Sequence, residues 1–388
     1  MSTRQMNKKR WHLIHGADGF IHSPYNFSHP RSRDIWGGST VYKGNFYIFG
    51  GAGNIYGSPY HPDDLNCLGV LNDFWKFDPQ KKRWELLIEN NNPLYYSWKT
   101  RQPGGRVLPV TEVIGGKMYL FGGLSILSPG WKTRGLNDIW CYDFKNEKWE
   151  IIEPDDGRDE AINVNKRANR PSHLAAAGSV AIDKNIYIFG GWHVGTPLII
   201  TNTIWKYNVV NRKWTLLRES LDKLCEQQFP KRYCLATCAW QDKIYIFGGR
   251  DSTPLPKYYN DMWVYYPDKD KLEVILENEP GAKDRPCPLY AFSASVMKDS
   301  LYVFGGFNGT RELSHFWRYH FISGKWEEII PDANRRDYSE RATLPGVRRS
   351  ATMNSMDTSL ILFGGISLRT GIDNKGPSVD LNDLWIYR

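Results

Sequence analysis

The sequence predicts an all-β chain in which six copies of a four-stranded antiparallel unit stand side by side in a closed ring. Three observations carry this. An apolar run ending in a double glycine recurs at Gly50-Gly51, Gly122-Gly123, Gly190-Gly191, Gly248-Gly249, Gly305-Gly306 and Gly364-Gly365. After a polar loop each pair is followed by a tryptophan: Trp75, Trp140, Trp205, Trp263, Trp317 and Trp385. The last copy stops at Trp385-Ile386-Tyr387-Arg388 without a final strand, and a segment of matching pattern stands at the opposite end of the chain, Lys9-Arg10-Trp11-His12-Leu13-Ile14. A repeat of this kind sets the architecture, because each unit buries its faces only against its neighbours.

Within a unit the elements follow in a fixed order. Strand a is small and apolar, as in Leu235-Ala236-Thr237-Cys238-Ala239-Trp240, and the tight turn Gln241-Asp242-Lys243 ends it. Strand b is the apolar run itself, Ile244-Tyr245-Ile246-Phe247 in the fourth copy. A strand apolar on both faces must be covered on both, so b lies inside the sheet. The glycines end it where a side chain would obstruct a neighbouring backbone. Strand c alternates, as in Phe74-Trp75-Lys76-Phe77-Asp78, and is half buried. Strand d is short and charged, as in Lys82-Arg83-Trp84-Glu85-Leu86-Leu87, which suits an outer edge because charge discourages pairing with another molecule. The d tryptophans are Trp11, Trp84, Trp149, Trp214 and Trp326, with Leu272 in that place in the fourth copy. The Trp11 segment is therefore expected to supply strand d of the last sheet and to close the ring through the two chain ends.

The apolar run, the glycine pair, the spaced tryptophan of strand c and the tryptophan of strand d together resemble the kelch repeat, over nearly the whole chain from Lys9 to Arg388. The resemblance implies a single six-bladed β-propeller over residues 9–388, preceded by a flexible segment at 1–8. Two copies depart from the Asn-Asp before the strand c tryptophan: Asn202-Thr203 and Ser314-His315. The glycine pairs are spaced by about 57 to 72 residues, against roughly 50 for the usual kelch period. The a–b and c–d turns are short throughout, so the excess falls in the b–c and d–a loops, which emerge on one face. Long loops on a rigid scaffold are where function usually sits.

Four groups of residues are candidates for function. Arg106, Arg232 and Arg348 share one register before their glycine pairs, and in the kelch family an arginine there often lines the pocket on the loop face. Planar guanidinium forks suit carboxylates, phosphates or peptide carbonyls. The alternative is that they pair with Asp73, Asp138, Asp261 or Asp383. Arg33 is one position out of register, which on a regular strand reverses its side; Arg170 and Arg285 stand four positions earlier. The second group follows the glycine pairs: Trp192, His193, Arg250, Asp251, Phe307 and Asn308 form an aromatic and polar rim, with Arg250 at a position that contacts ligand in kelch adaptors for acidic peptides. The alternative is ordinary loop packing, the preferred reading for Leu124 and Ile366. The third is the aromatic content of the insertions, Tyr96, Tyr258 and Tyr259 among them, which suits recognition and equally suits loops packing on themselves. The fourth is a histidine-rich stretch, His12, His15, Asp18, His22 and His29. Nitrile specifier proteins are kelch propellers with a Glu-x-x-x-Asp-x-x-x-His iron site, but Ile14 occupies the Glu position here, so no metal or other cofactor is expected.

The metalloprotease motif H-E-x-x-H, the phosphate loop G-x-x-x-x-G-K-[ST] and the hydrolase motif G-x-S-x-G are all missing. Net charge is +8, from 50 basic and 42 acidic residues spread along the chain. That excess favours anionic partners without pointing to nucleic acid. No apolar run of membrane length occurs, the N-terminus has no apolar leader core, and the six cysteines lack metal-finger spacing. A reducing cytoplasm is the expected location. The functional expectation is a binding protein whose loop face holds an acidic peptide, an acidic protein segment or a small anionic molecule in a pocket formed by Arg106, Arg232, Arg348 and Arg250 with Trp192, His193, Phe307, Asn308 and Tyr96. The alternative is an enzyme of isomerase, mutarotase or lyase type acting on a carboxylated substrate, with His193, His61 or Asp251 as acid or base.

Overall fold

The computed structural model describes residues 10–16, 28–30, 33, 37–54, 68–90, 101–127, 132–156, 170–193, 199–218, 229–336, 341–368 and 378–388. The segment 1–8 and residues Tyr96, His61, Asp18 and His22 lie outside them. Among the described residues are six four-stranded antiparallel sheets, each running a-b-c-d from inside to outside, and no helix long and apolar enough to cross a membrane. The first is Gly38–Tyr42, Asn45–Asn54, Leu68–Asp78 and Arg83–Ile88. The fourth is Ala236–Trp240, Lys243–Phe247, Met262–Tyr266 and Lys271–Leu276. Every innermost strand touches the innermost strands of two neighbours, Thr352–Met356 meeting Gly38–Tyr42. The chain ends pair: Trp11–His15 runs antiparallel to Ser378–Tyr387, with Trp11 opposite Tyr387 and Leu13 opposite Trp385.

The blades meet through aromatic side chains. Trp84 of strand d in the first blade packs on Phe363 of the last at 5.1 Å between centroids, and Trp11 packs on Phe304 and Phe316 of the fifth at 5.9 and 5.2 Å. Trp75, Trp140 and Trp385 of strand c are 1% exposed. These rings give each interface a large apolar area with few rotatable bonds to freeze.

The glycine pairs do more than end strand b. The second glycine of each pair donates its N–H to the carbonyl of the next blade's arginine-register residue: Gly51 to Arg106, Gly123 to Leu174, Gly191 to Arg232, Gly249 to Leu289, Gly306 to Arg348 and Gly365 to Arg33. That same residue returns its own N–H to the preceding blade, as Arg232 does to Thr201 and Arg33 to Leu381. So close an approach leaves no room for a side chain. A Cβ on Gly190 would stand 2.5 Å from the Arg232 carbonyl oxygen, at a φ of 60° that L residues rarely adopt.

Candidate interaction site on the loop face

Arg106, Arg232 and Arg348 are not at a channel mouth. They are 0%, 0% and 1% exposed, and each is locked in a two-point ion pair with the aspartate two residues before its strand c tryptophan. Arg232 reaches Asp261 at 2.7 and 2.8 Å, Arg106 reaches Asp138 at 2.7 and 2.9 Å, and Arg348 reaches Asp383 at 2.6 and 2.7 Å. Two more of the five guanidinium hydrogens are occupied too. Nη1 donates to the first glycine of the pair, Gly122, Gly248 or Gly364, and Nε to the carbonyl two residues earlier. The tryptophan indole completes the aspartate, Trp263 Nε1 donating to Asp261 at 2.8 Å. Three residues expected to bind a ligand are thus buried structural clasps.

Arg33 makes the same set of contacts, to Asp73 at 2.8 Å twice and to the Gly50 carbonyl at 2.9 Å. Its offset of one residue does not reverse its side, because the backbone there is held by the bonds from Arg33 N to Leu381 and from Gly365 N to the Arg33 carbonyl, outside any strand ladder. The two blades without the arginine also lack the aspartate: Leu174 is matched with Thr203, and Leu289 with His315. Buried His315 takes over one arginine contact, with Nε2 3.1 Å from the Gly305 carbonyl, and burial lowers its pKa to about 4, which keeps the ring neutral. Arg170 binds Glu153 and Asp156 at 3.3 and 3.4 Å, and Arg285 lies against Asp284.

The residues that form a mouth come one position later and just after the glycine pairs. Tyr233 pairs with Arg250 and Arg250 with Tyr258; Tyr290 pairs with Phe307 and Phe307 with Glu312; Arg349 pairs with Ile366. Half-buried Arg250 lies among three tyrosine rings, its guanidinium carbon 5.4 Å from the centroid of Tyr233, 5.6 Å from Tyr258 and 5.0 Å from Tyr290. Its Nε donates to the Asp251 carbonyl at 3.0 Å, and among the described residues no carboxylate pairs with it. Burial raises the pKa of Tyr233 and Tyr290, so both stay neutral and present their ring faces to the cation. The belt continues on either side. Trp192 packs on Tyr233 at 4.8 Å, and Arg349 stands over Phe307 at 5.5 Å while donating to buried Glu312 at 3.1 Å. On the blades opposite, the same layer is apolar: Val70, Val107, Ala175 and Ile200 form one cluster with Ala52 and Leu124. Leu124 and Ile366, for which loop packing is expected, are strand residues bridged to Val107 and Arg349.

The other expected site residues serve the scaffold. His193 is 3% exposed, with Nδ1 2.6 Å from the Ser172 hydroxyl, and burial lowers its pKa to about 4. Asn308 caps the turn after it, accepting from Thr310 N and Arg311 N at 3.0 Å each. Tyr259 is 3% exposed beneath the Arg232 guanidinium, 4.0 Å away, whereas Tyr258 remains at the surface. Asp251 spends its carboxylate on the amides of Thr253 and Lys257. Sequence reading missed Tyr233, Tyr290 and Arg349. Their signal was position: each follows the arginine register by one residue.

Beneath the belt the axis holds a cavity of about 280 Å³ lined by small groups, including Ser179, Thr237, Cys234, Ala351 and Thr352. Ligand pockets usually run from roughly 300 to 1,000 Å³ with a mainly apolar lining. Deeper in, Glu112 joins two blades by accepting from Ser179 Oγ at 2.6 Å and Ala181 N at 3.1 Å. Elsewhere, Asp155, Asp156 and His173 bring potential metal ligands within 4.8 Å of one another. Asp155 there is paired with Arg134 and accepts from Asn137 N at 3.0 Å. The fifth blade repeats this device, Asp332 pairing with Arg311 and accepting from Ser314 N at 2.7 Å, which marks both as loop braces.

The KLHDC2/KLHL20/DRC7 Kelch-repeats domain matches residues 157–282, and the Kelch motif matches 105–154 and 288–329. Similar proteins include Kelch domain-containing protein 10 of Homo sapiens, 21% identical over 285 residues that cover 74% of this chain and 58% of that protein. Leucine-zipper-like transcriptional regulator 1 homolog of Drosophila melanogaster is 24% identical over 302 residues, 73% of this chain and 26% of its own. N-(sulfonatooxy)prop-2-enimidothioate sulfolyase of Thlaspi arvense is 25% identical over 285 residues, 69% of each. The chain thus spans about a quarter to just over half the length of the first two of these relatives. Two kelch descriptions that together match more than half of the residues, set on a ring of four-stranded sheets stitched at the glycine pairs, identify the chain as a member of the kelch-repeat family.

Proposed function

We propose that this protein is a protein-interaction module whose loop face takes an acidic segment of a partner protein, with Arg250 as the cation that meets it. Kelch domains generally mediate protein–protein interaction, and the kelch similarities support that much of the reading. The observation that carries the rest is the contrast between arginines. Those of the buried register have aspartate partners, whereas Arg250 is half buried in aromatic rings with no carboxylate paired to it among the described residues. A cation so placed has lost part of its hydration and regains it from an incoming carboxylate, while Tyr258, Tyr290, Phe307 and Trp192 offer rigid contact area. The sulfolyase similarity favours an enzyme instead, but of the acids and bases expected for that reading His193 is buried and Asp251 Oδ1 is engaged by the hairpin's own amides.

Fluorescence anisotropy with a labelled tetraglutamate peptide tests the proposal. Binding is expected, weakening as salt is added because exposed charge pairs are screened, and a tetraserine peptide of equal length is expected not to bind. Equal affinity for the two peptides removes the reading.

A further inference from the structure

The b–c connection of the fourth blade is a short hairpin with a defined tip. Arg250 and Tyr258 pair at its base, and Asp251 N donates to the Lys257 carbonyl at 3.1 Å above them. Asp251 Oδ1 accepts from Lys257 N at 2.8 Å and Thr253 N at 3.4 Å, and Thr253 Oγ1 donates to the Leu255 carbonyl at 2.8 Å. The tip they hold reads Thr253-Pro254-Leu255-Pro256, with φ fixed by ring closure on both sides of the leucine. Leu255 is 89% exposed, more than any other large apolar residue of the described chain. The other prominent ones, Val210 at 67% and Ile322 at 78%, sit on c–d turns, which open on the opposite face.

An apolar side chain held in water by a braced loop, beside a cation that no carboxylate pairs with among the described residues, has the features of a recognition anchor: little conformational freedom remains to be lost on binding. The tip runs from three residues after Arg250 to two before Tyr258, and Leu255 lies three residues from Tyr258, so at about 3.3 Å per residue it stands up to roughly 10 Å from the Arg250–Tyr258 pair. An extended peptide covers that span in two to three residues. We propose that this hairpin reads two features of one partner segment: a carboxylate at Arg250 and an apolar side chain, two to three residues away, at Leu255. The inference rests on the loop-face reading above and adds to it the chemistry and spacing of the segment recognised. Lys257, whose ammonium lies 5.4 Å from the Tyr259 ring, adds positive charge on the same hairpin and so favours an acidic flank.

The test is a spacing series of capped peptides titrated against the full chain. Each carries the same Glu-Glu pair; one has no apolar residue, and the others place a leucine one to five residues away. Affinity is expected to peak at two or three, about tenfold or more above the peptide without leucine, since burial of one such side chain is worth that much. Leu255→Ser, a change at an exposed tip, is expected to flatten the series and leave the plain Glu-Glu peptide unaffected; Val210→Ser on the opposite face is expected to leave the peak in place. A flat series on the native protein, no binding by any peptide, or a peak that survives Leu255→Ser overturns the proposal. Arg250→Ala reports separately on the underlying reading, because it is expected to weaken every peptide, including the one without leucine.

Discussion

The guanidinium of Arg232 binds Asp261, Gly248 and Pro230 of its own blade, while its backbone is bonded to Gly191 and Thr201 of the blade before. One residue therefore joins two blades and braces the strand c tryptophan through Asp261. Removing one half of a buried, hydrogen-bonded ion pair leaves an uncompensated charge, at a cost of about 3–5 kcal/mol, whereas replacing both halves with apolar or small groups is far milder. The chain contains the replacement already, as Leu174 with Thr203. Chemical denaturation of Arg232→Leu, Asp261→Thr and the double variant is expected to show each single change losing about 3–5 kcal/mol and the double losing clearly less than their sum. Additive losses would mean that the pair is not coupled. This coupling was legible in the sequence. The two copies that depart from Asn-Asp are the two without an in-register arginine, apart from the first copy, where Arg33 is displaced by one. Family resemblance drew the arginines toward a pocket, and the internal pairing of the copies pointed the other way. Arg250 was legible by its place after a glycine pair, but its tyrosine surroundings were not. They come from three separate segments, Tyr233 and Tyr258 paired with Arg250 within the fourth blade and Tyr290 from the fifth beside it.

At the scale of elements, the innermost strands are rich in small residues because six of them converge on one axis, and Glu112 is the one carboxylate in those six strands. Burial raises its pKa from an ordinary 4.5 to about 7, against the opposing effect of the Ser179 and Ala181 hydrogen bonds. The folded state therefore holds this proton more tightly than the unfolded chain. Its contribution is most favourable to folding below about pH 4.5 and is lost as pH rises through about 7. A Glu112→Gln variant cannot ionise; its single amide oxygen can accept from Ala181 N while its amide nitrogen donates to the Ser179 hydroxyl, which turns to accept. Between pH 5 and 8 the native protein is expected to lose stability relative to this variant, by on the order of 1–3 kcal/mol, as read from paired denaturation curves. Parallel curves across that range would show that water in the axial cavity solvates the carboxylate. The strands themselves were readable from apolar runs, glycine pairs and charged edges, since each pattern follows from whether a strand is covered on two faces, one or none. The clasp between blades was not, because it is made by backbone groups that carry no sequence signal beyond the glycines.

At the scale of the whole molecule, the ring separates its two kinds of arginine. Those that face the blade interiors stabilise it, and Arg250, with Arg349 beside Glu312, is turned to the loop face. The layer around the mouth is uneven, apolar over the first two blades and aromatic with charge from Trp192 of the third blade through the fourth and fifth to Arg349 of the sixth, so a bound segment is expected to lie off the axis, toward the Arg250 side. Such an offset cannot be read from a repeat, whose copies look equivalent until folding sets their different loop residues around one opening. The most direct measurement of this account is tetraglutamate affinity and melting temperature on the same Arg250→Ala sample. The account predicts affinity reduced by about tenfold or more, as for loss of a charge-assisted contact, with the melting temperature within a few degrees of the native value, since this arginine braces no blade. Undiminished affinity, or a collapse in stability like that expected for Arg232→Leu, would contradict it.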